Sequence, residues 1–192
     1  AVPGYAQELG RDSGTETFVA LRAHVDNWRW SGVPFYLRTG KRMASRATEI
    51  AIEFKRVPHS IFDGGAGQLA PNMLLITLQP EEHIELQLMH KIPGLDRHGL
   101  RLAQVGLDLD VAREFEGTRR RLAYERLYLD AIDNNGTLFV RRDETEAAWQ
   151  WVDAILAGWQ STGQAPRPYP AGTWGPTAAV TLTERHGHSW RE

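Results

Sequence analysis

Four cations surround a Thr-Gly pair in the first quarter of the chain: Arg38, Lys41, Arg42 and Arg46. Gly40 permits a tight turn and a close approach of a ligand to the backbone. Lys41 follows it directly, so its ammonium can reach over the turn. Because Lys supplies a mobile point charge and Arg a planar fork, the cluster suits an anion.

A polar strand residue could complete such a site. Gln79 lies in the segment TLQPEE, where a predicted strand ends at Pro80. Its amide can donate and accept hydrogen bonds together, as sugar hydroxyls require. Lys41 and Arg46 flanking a turn and facing Gln79 would suit a phosphorylated polyhydroxyl ligand. The spacing alone leaves open a second interpretation, in which the cations are simply solvated.

The sequence lacks the motifs of several common types of nucleotide-binding and catalytic site. The sequence has no Walker loop, no G-x-G-x-x-G between a strand and a helix, no H-E-x-x-H and no G-x-S-x-G. It has no cysteine, which excludes disulfides and thiolate catalysis. We interpret GGAG at 64–67 as a loop, RRR at 119–121 as a solvated face, and His186 and His188 as part of a polar tail rather than a metal site.

Charge and hydropathy argue against nucleic acids and membranes as binding partners. The 22 Lys and Arg residues balance 24 Asp and Glu residues, giving a net charge of −2. This balance argues against a general nucleic-acid surface. The longest apolar runs are far shorter than a membrane span, and we expect no signal peptide, because the first residues have neither a basic stretch nor an apolar core. The chain begins at Ala1 rather than Met, as a piece cut from a longer protein would, and processing or a trimmed tag would give the same start.

Alternating apolar residues predict strands within residues 17–30, 48–57, 72–80, 82–93 and 99–111, with the third in a central position. Helical spacing predicts helices at 118–132 and 142–160. Asp143 should cap the second, with Glu146 three residues on, and the apolar stripe should comprise Ala148, Val152, Ile155, Leu156 and Trp159. Residues from Ser161 onward read as a surface tail. Strands before helices favour one α+β domain with an antiparallel sheet.

Six segments, spread in order over nearly the whole chain, resemble glucose-6-phosphate dehydrogenase. They are VPGY at 2–5, GVPFYLRTGKRM at 32–43, LQPEE at 78–82, AYERLYLDAI at 123–132, RRDETEAAWQWVDAI at 141–155 and YPAGTWGP at 169–176. The resemblance implies that residues 1–192 form the C-terminal substrate and dimerisation domain, as in bacterial members. Its fold would be a large, mostly antiparallel sheet with helices on one face. The family's N-terminal Rossmann domain has no counterpart in this chain.

The resemblance also implies an activity. The family oxidises β-D-glucose 6-phosphate to 6-phosphoglucono-1,5-lactone with NADP, in the cytoplasmic oxidative pentose phosphate pathway. Lys41, Arg46 and Gln79 match substrate-binding positions. No catalytic residue falls in this chain, so we expect it to be inactive alone. The family resemblance further implies a homodimer or higher oligomer formed through the sheet.

Animal members hold a second, structural NADP in this domain, and here the matching positions differ. Arg38 is retained, but the other positions carry Ala47, Ala51, Thr77, Glu85, Gln87 and Trp174. Neutral methyls and an acid would not hold a dinucleotide's phosphates, so we expect no structural NADP.

Two other functions stay open from the sequence. The chain could be a non-catalytic module that binds sugar phosphates or assembles with partners. It could also be a dimer scaffold in which Arg38, Lys41 and Arg46 are only solvated.

Overall fold

The computed structural model describes residues 4–59, 69–94, 101–117 and 122–191. Its elements confirm an α+β fold with antiparallel strands. In order they are α1 Tyr5–Leu9, β1 Phe18–Ala23, β2 Phe35–Gly40, β3 Thr48–Glu53, β4 Met73–Gln79, β5 His83–Lys91, β6 Leu102–Asp110, α2 Val111–Glu114, α3 Ala123–Ile132, a 3-10 turn Gly136–Leu138, α4 Arg142–Ser161 and α5 Thr177–Glu184.

The described residues divide into two compact units. The first contains residues 4–41, 122–171 and 175–182. The second contains residues 42–59, 69–94, 101–117, 172–174 and 183–191. The single domain over residues 1–192 stays a prediction.

In the first unit β1 pairs antiparallel with β2, with Phe18 opposite Gly40 and Ala23 opposite Phe35. The predicted strand in this region was too long, because β1 ends at Ala23. Beyond it the Asn27 side chain accepts a hydrogen bond from the backbone N–H of Trp30 at 2.9 Å. An Asn that binds the backbone in this way forms a turn, which ends the extended segment.

Helix α4 confirms the helix predicted at 142–160, but its cap differs from the predicted one. The helix begins at Arg142, and the Glu144 carboxylate accepts the backbone N–H of Arg141 at 2.9 Å. Asp143 lies inside the first turn, where it forms an ion pair with Arg141 at 2.6 Å. The capping box therefore lies two residues earlier than predicted, with Arg141 in place of Asp143 and Glu144 in place of Glu146.

The inner stripe of α4 is confirmed over its second half. Val152, Ile155, Leu156 and Trp159 are half-buried, whereas Ala148 is exposed. A further helix, α5, was not predicted; it follows the Pro/Gly-rich segment and buries Ala179. The surface tail predicted from Ser161 onward was therefore wrong over the eight residues of α5.

Helix α3 confirms the described part of the helix predicted at 118–132, while residues 118–121 lie outside the described residues. The helix ends at Ile132, and Asn134 then has a φ of 52°. Its one buried residue is Asp130, which is 2% exposed. The Asp130 carboxylate accepts hydrogen bonds from Arg126 at 3.0 Å and from the Asn135 amide at 3.1 Å. The Asn135 amide bond, together with the Asn135 N–H that donates to the Asp130 carbonyl at 2.7 Å, ties the turn after the helix to Asp130.

The second unit is built on a four-stranded antiparallel sheet in the order β3-β4-β5-β6. Strand β4 is internal, as its continuous apolar run predicted, and its Leu75 is 1% exposed. The pairing places Ile76 opposite both Ile50 and Ile84, and Ile84 opposite Leu109. Residues paired in this way point to the same face, so the sheet has one apolar face that crosses all four strands.

That apolar face is largely exposed in the described chain. An alternating strand is typically half-buried, but all six residues of β3 are exposed. The alternation is present, but half-burial also requires a covering layer over this face. Six apolar side chains of the face are 37–59% exposed, namely Ile50, Ile52, Ile84, Val105, Leu107 and Leu109. We call these six residues the apolar sheet face.

Candidate functional site

Lys41 lies directly after β2 in the first unit, and its backbone is held on both sides. Its N–H donates to the carbonyl of Thr17 at 2.8 Å. Its own carbonyl accepts a hydrogen bond from the Tyr169 hydroxyl at 2.7 Å. The residue is exposed. A fixed backbone beneath an exposed lysine suits the binding of an anion from solution.

Tyr169 supports the backbone at this candidate site, and the sequence analysis did not identify it. Its hydroxyl also lies 3.0 Å from the Thr17 carbonyl, so it bridges the residue before β1 and the residue after β2. Its ring packs against Phe18 with centroids 5.3 Å apart. The position falls in the segment YPAGTWGP, which carried part of the resemblance. No periodicity or spacing pointed to a contact with Lys41.

The chain after Lys41 enters the second unit, where a short ladder holds it. The carbonyl of Arg42 accepts the N–H of Gly172 at 2.8 Å, and the N–H of Ala44 donates to the carbonyl of Thr173 at 3.1 Å. Met43 forms a parallel bridge with Thr173. Arg42 has a φ of 49°, which is uncommon for a non-glycine residue. These hydrogen bonds hold that conformation.

Arg46 and Gln79 lie at the same end of the β3-β4 pair in the second unit. Arg46 precedes β3 by two residues, and Thr48 at the start of β3 is the register partner of Gln79 at the end of β4. Both Arg46 and Gln79 are exposed. A guanidinium and an amide are thus available together at one sheet end. The meeting of these two residues with Lys41 on one ligand stays a prediction.

Four of the positions that the resemblance matches to a second, structural NADP site lie on one face of the sheet formed by β3, β4, β5 and β6. The register pairs Ala51 and Glu85 with Leu75, and it places Thr77 and Gln87 on the same side. Gln87 donates to Glu85 at 3.0 Å and accepts from Gln104 at 2.9 Å. A line of side chains bonded to one another therefore occupies this face. The remaining positions are Ala47, which is exposed, and Trp174, which is half-buried.

Other candidate sites gain no support from the described residues. Within residues 4–59, 69–94, 101–117 and 122–191, no group of three or more His, Asp or Glu side chains could hold a metal ion. His188 lies 3.7 Å from the Glu53 carboxylate. None of the helices in these ranges is both long and apolar enough to span a bilayer. The GGAG segment at 64–67 and the RRR segment at 119–121 lie outside the described residues.

Comparison with known proteins gives a consistent result over the whole chain. The family model for the glucose-6-phosphate dehydrogenase C-terminal domain matches residues 1–191. Glucose-6-phosphate 1-dehydrogenase of Zymomonas mobilis is 56% identical over 189 residues, which is 98% of this chain and 39% of that protein. The enzyme of Rhizobium meliloti is 57% identical over 192 residues, which is 100% of this chain and 38% of that protein.

Solved structures agree with this result. A glucose-6-phosphate dehydrogenase in complex with its substrate glucose 6-phosphate superimposes with a TM-score of 0.86 at 30% identity, over 99% of this chain and 38% of that one. The Mycobacterium avium enzyme gives a TM-score of 0.77 at 32% identity, over 99% of this chain and 38% of that one. The chain thus spans less than two fifths of the length of the relatives it matches. It belongs to the glucose-6-phosphate dehydrogenase C-terminal domain family.

Proposed function

We propose that this chain is the C-terminal part of a glucose-6-phosphate 1-dehydrogenase. The whole protein would oxidise β-D-glucose 6-phosphate to 6-phosphoglucono-1,5-lactone with NADP, in the oxidative pentose phosphate pathway of the cytoplasm. The family match over residues 1–191 and the identities of 56% and 57% to named enzymes support this proposal. The isolated chain would be inactive, because it would supply binding residues and not the groups that transfer protons or hydride.

The proposed role of Lys41, Arg46 and Gln79 is to bind and orient the phosphorylated sugar. The observation that carries this proposal is the anchored backbone of Lys41 beneath an exposed side chain. The ammonium would neutralise phosphate charge or hold a hydroxyl, and Arg46 would add a planar pair of donors. Gln79 would donate to one sugar hydroxyl and accept from another. Such contacts contribute by orienting the reacting carbon.

NADP would be bound mainly outside this chain. The face formed by Ala51, Thr77, Glu85 and Gln87 has one formal negative charge and no cation among these four residues. A dinucleotide carries several phosphate charges, which such a face would repel. We therefore propose that this domain holds no second, structural NADP.

The chain would also form the subunit interface of a homodimer or higher oligomer. The apolar sheet face supports this proposal, because its six side chains stay 37–59% exposed in the described chain. Contiguous apolar surface of this kind is typical of an interface between proteins. A second copy would bury the face against the same face of its partner, as a two-fold interface requires.

Substitution of Lys41 in the full-length protein tests the binding role. A hydrogen bond to a charged group contributes about 1.5–3 kcal/mol. Lys41→Ala should therefore lower kcat/KM for glucose 6-phosphate by roughly 10- to 150-fold. Lys55→Ala, which removes an exposed Lys after β3, is the matched control and should change it less than about twofold.

Two outcomes would contradict parts of the proposal. A loss below threefold for Lys41→Ala would remove Lys41 from the site and favour the dimer scaffold. Binding of glucose 6-phosphate without any oxidation by the full-length protein would favour the non-catalytic sugar-phosphate module.

A further inference from the structure

We infer that Tyr169 is a positioning residue, which holds the backbone of Lys41 in the conformation that presents its ammonium to the substrate. The inference rests on the proposed function, because it gives Tyr169 a role only if Lys41 binds glucose 6-phosphate. Tyr169 acts through main-chain contacts and need not touch the ligand.

The hydrogen bonds of the Tyr169 hydroxyl join the two strand ends that flank the site. Its single hydrogen is shared between the carbonyls of Lys41 at 2.7 Å and Thr17 at 3.0 Å. The Thr17 carbonyl also accepts the Lys41 N–H at 2.8 Å. Three groups therefore meet in one small hydrogen-bonded cluster. The β1-β2 pair has only two strands, so its ends would fray readily without such a tie.

The phenol itself is fixed by packing. Its ring contacts Phe18, the first residue of β1, at a centroid distance of 5.3 Å and an interplanar angle of 55°. Phe18 in turn lies directly over Gly175, where a Cβ atom would overlap its ring. Gly175 has a φ of 104°, which glycine adopts without strain. A chain of contacts thus runs from Gly175 through Phe18 and Tyr169 to the backbone of Lys41.

Loss of the hydroxyl should affect ligand binding more than folding. The contact with the Lys41 carbonyl lies in an exposed region, so water can replace the lost donor. The carbonyl of Thr17 keeps the N–H of Lys41 as a partner. The turn would then occupy its binding conformation for a smaller fraction of the time. Apparent affinity falls in proportion to that fraction.

Tyr169→Phe in the full-length protein is the test, because it removes the hydroxyl and keeps the ring on Phe18. We expect KM for glucose 6-phosphate to rise roughly 3- to 10-fold, which is the range for one lost hydrogen bond. The thermal midpoint should move by less than about 2 °C. Hydrogen exchange in a peptide that contains the Lys41 amide should become faster. Tyr128→Phe, at an exposed position of α3, is the matched control and should change none of these quantities.

A double-mutant cycle separates positioning from general support of the fold. If Tyr169 acts through Lys41, Tyr169→Phe should change KM by less than twofold in a Lys41→Ala background. An undiminished effect in that background would overturn the inference. A Tyr169→Phe protein with unchanged KM and unchanged hydrogen exchange would also overturn the inference. A large effect of Lys41→Ala in the same experiments would leave the proposed function standing. A full-length protein that does not oxidise glucose 6-phosphate, or that tolerates Lys41→Ala, would overturn the proposed function and this inference with it.

Discussion

Gly175→Ala should destabilise the first unit strongly, because the position combines an unusual backbone conformation with a close neighbour. The φ of 104° lies outside the region that L-residues occupy readily, and a Cβ there overlaps the Phe18 ring. Conformational strain contributes about 1–2 kcal/mol. Overpacking against an aromatic ring contributes about 1–3 kcal/mol. The free energy of unfolding should therefore fall by about 2–5 kcal/mol, a large part of the roughly 5–15 kcal/mol typical of a domain.

A matched control separates the two contributions. Gly163 follows α4 with a φ of 64°, and a methyl group added there would have no neighbour within 4 Å. Gly163→Ala should cost only the conformational part, about 1 kcal/mol. Phe18→Leu removes the ring atoms that a Cβ at Gly175 would meet, so it should reduce the cost of Gly175→Ala toward that of Gly163→Ala.

The assay is equilibrium urea unfolding, followed by tryptophan fluorescence, of the three single variants and of the double variant that combines Phe18→Leu with Gly175→Ala. A cost below about 1 kcal/mol for Gly175→Ala would refute the close packing described for Phe18. Equal costs with Phe and with Leu at position 18 would rule out the steric contribution. Because Phe18 supports Tyr169, a stable Gly175→Ala protein with an unchanged KM would also weaken the proposed chain of contacts to Lys41.

Three further predictions concern the buried carboxylate, the apolar sheet face and the second dinucleotide. In the same urea assay, Asp130→Ala should lower the free energy of unfolding by about 2–4 kcal/mol, because the hydrogen bonds from Arg126 and Asn135 are lost. The control Asp143→Ala removes an exposed ion pair and should lower it by less than about 1 kcal/mol. Leu107→Glu on the apolar sheet face should shift the oligomer to monomer in sedimentation velocity, and an unshifted oligomer would exclude this face as the interface. Equilibrium dialysis of the full-length protein should give one NADP per subunit, and two would contradict the absence of a structural site.

Much of the fold follows from local patterns. Period-2 alternation located β3, β5 and β6, and the continuous apolar run of β4 indicated its central position, because these signals depend on which faces are buried. The end of β1 was misjudged because the Asn27 turn overrides an alternation that continues through Val25. Helix α5 was missed because its eight residues follow a Pro/Gly-rich segment and carry only a short pattern.

The candidate site was likewise predictable from the sequence only in part. The placement of Lys41 at a turn could be predicted, because Gly40 directly precedes it. Its support by Tyr169 could not be predicted, because the two residues are 128 positions apart and meet through a backbone carbonyl. Exposure of β3 also depends on what covers the sheet, which lies beyond any local pattern.

Isothermal titration of glucose 6-phosphate into the full-length protein, with glucose as the control ligand, tests most directly whether the turn that carries Lys41 recognises the substrate. We expect the phosphorylated sugar to bind, glucose to bind far more weakly, and Lys41→Ala to weaken binding of the phosphorylated sugar by at least about tenfold. Lys55→Ala should bind as the unsubstituted protein does. Equal binding of both sugars, or unchanged binding of glucose 6-phosphate to the Lys41→Ala protein, would contradict substrate recognition by this turn.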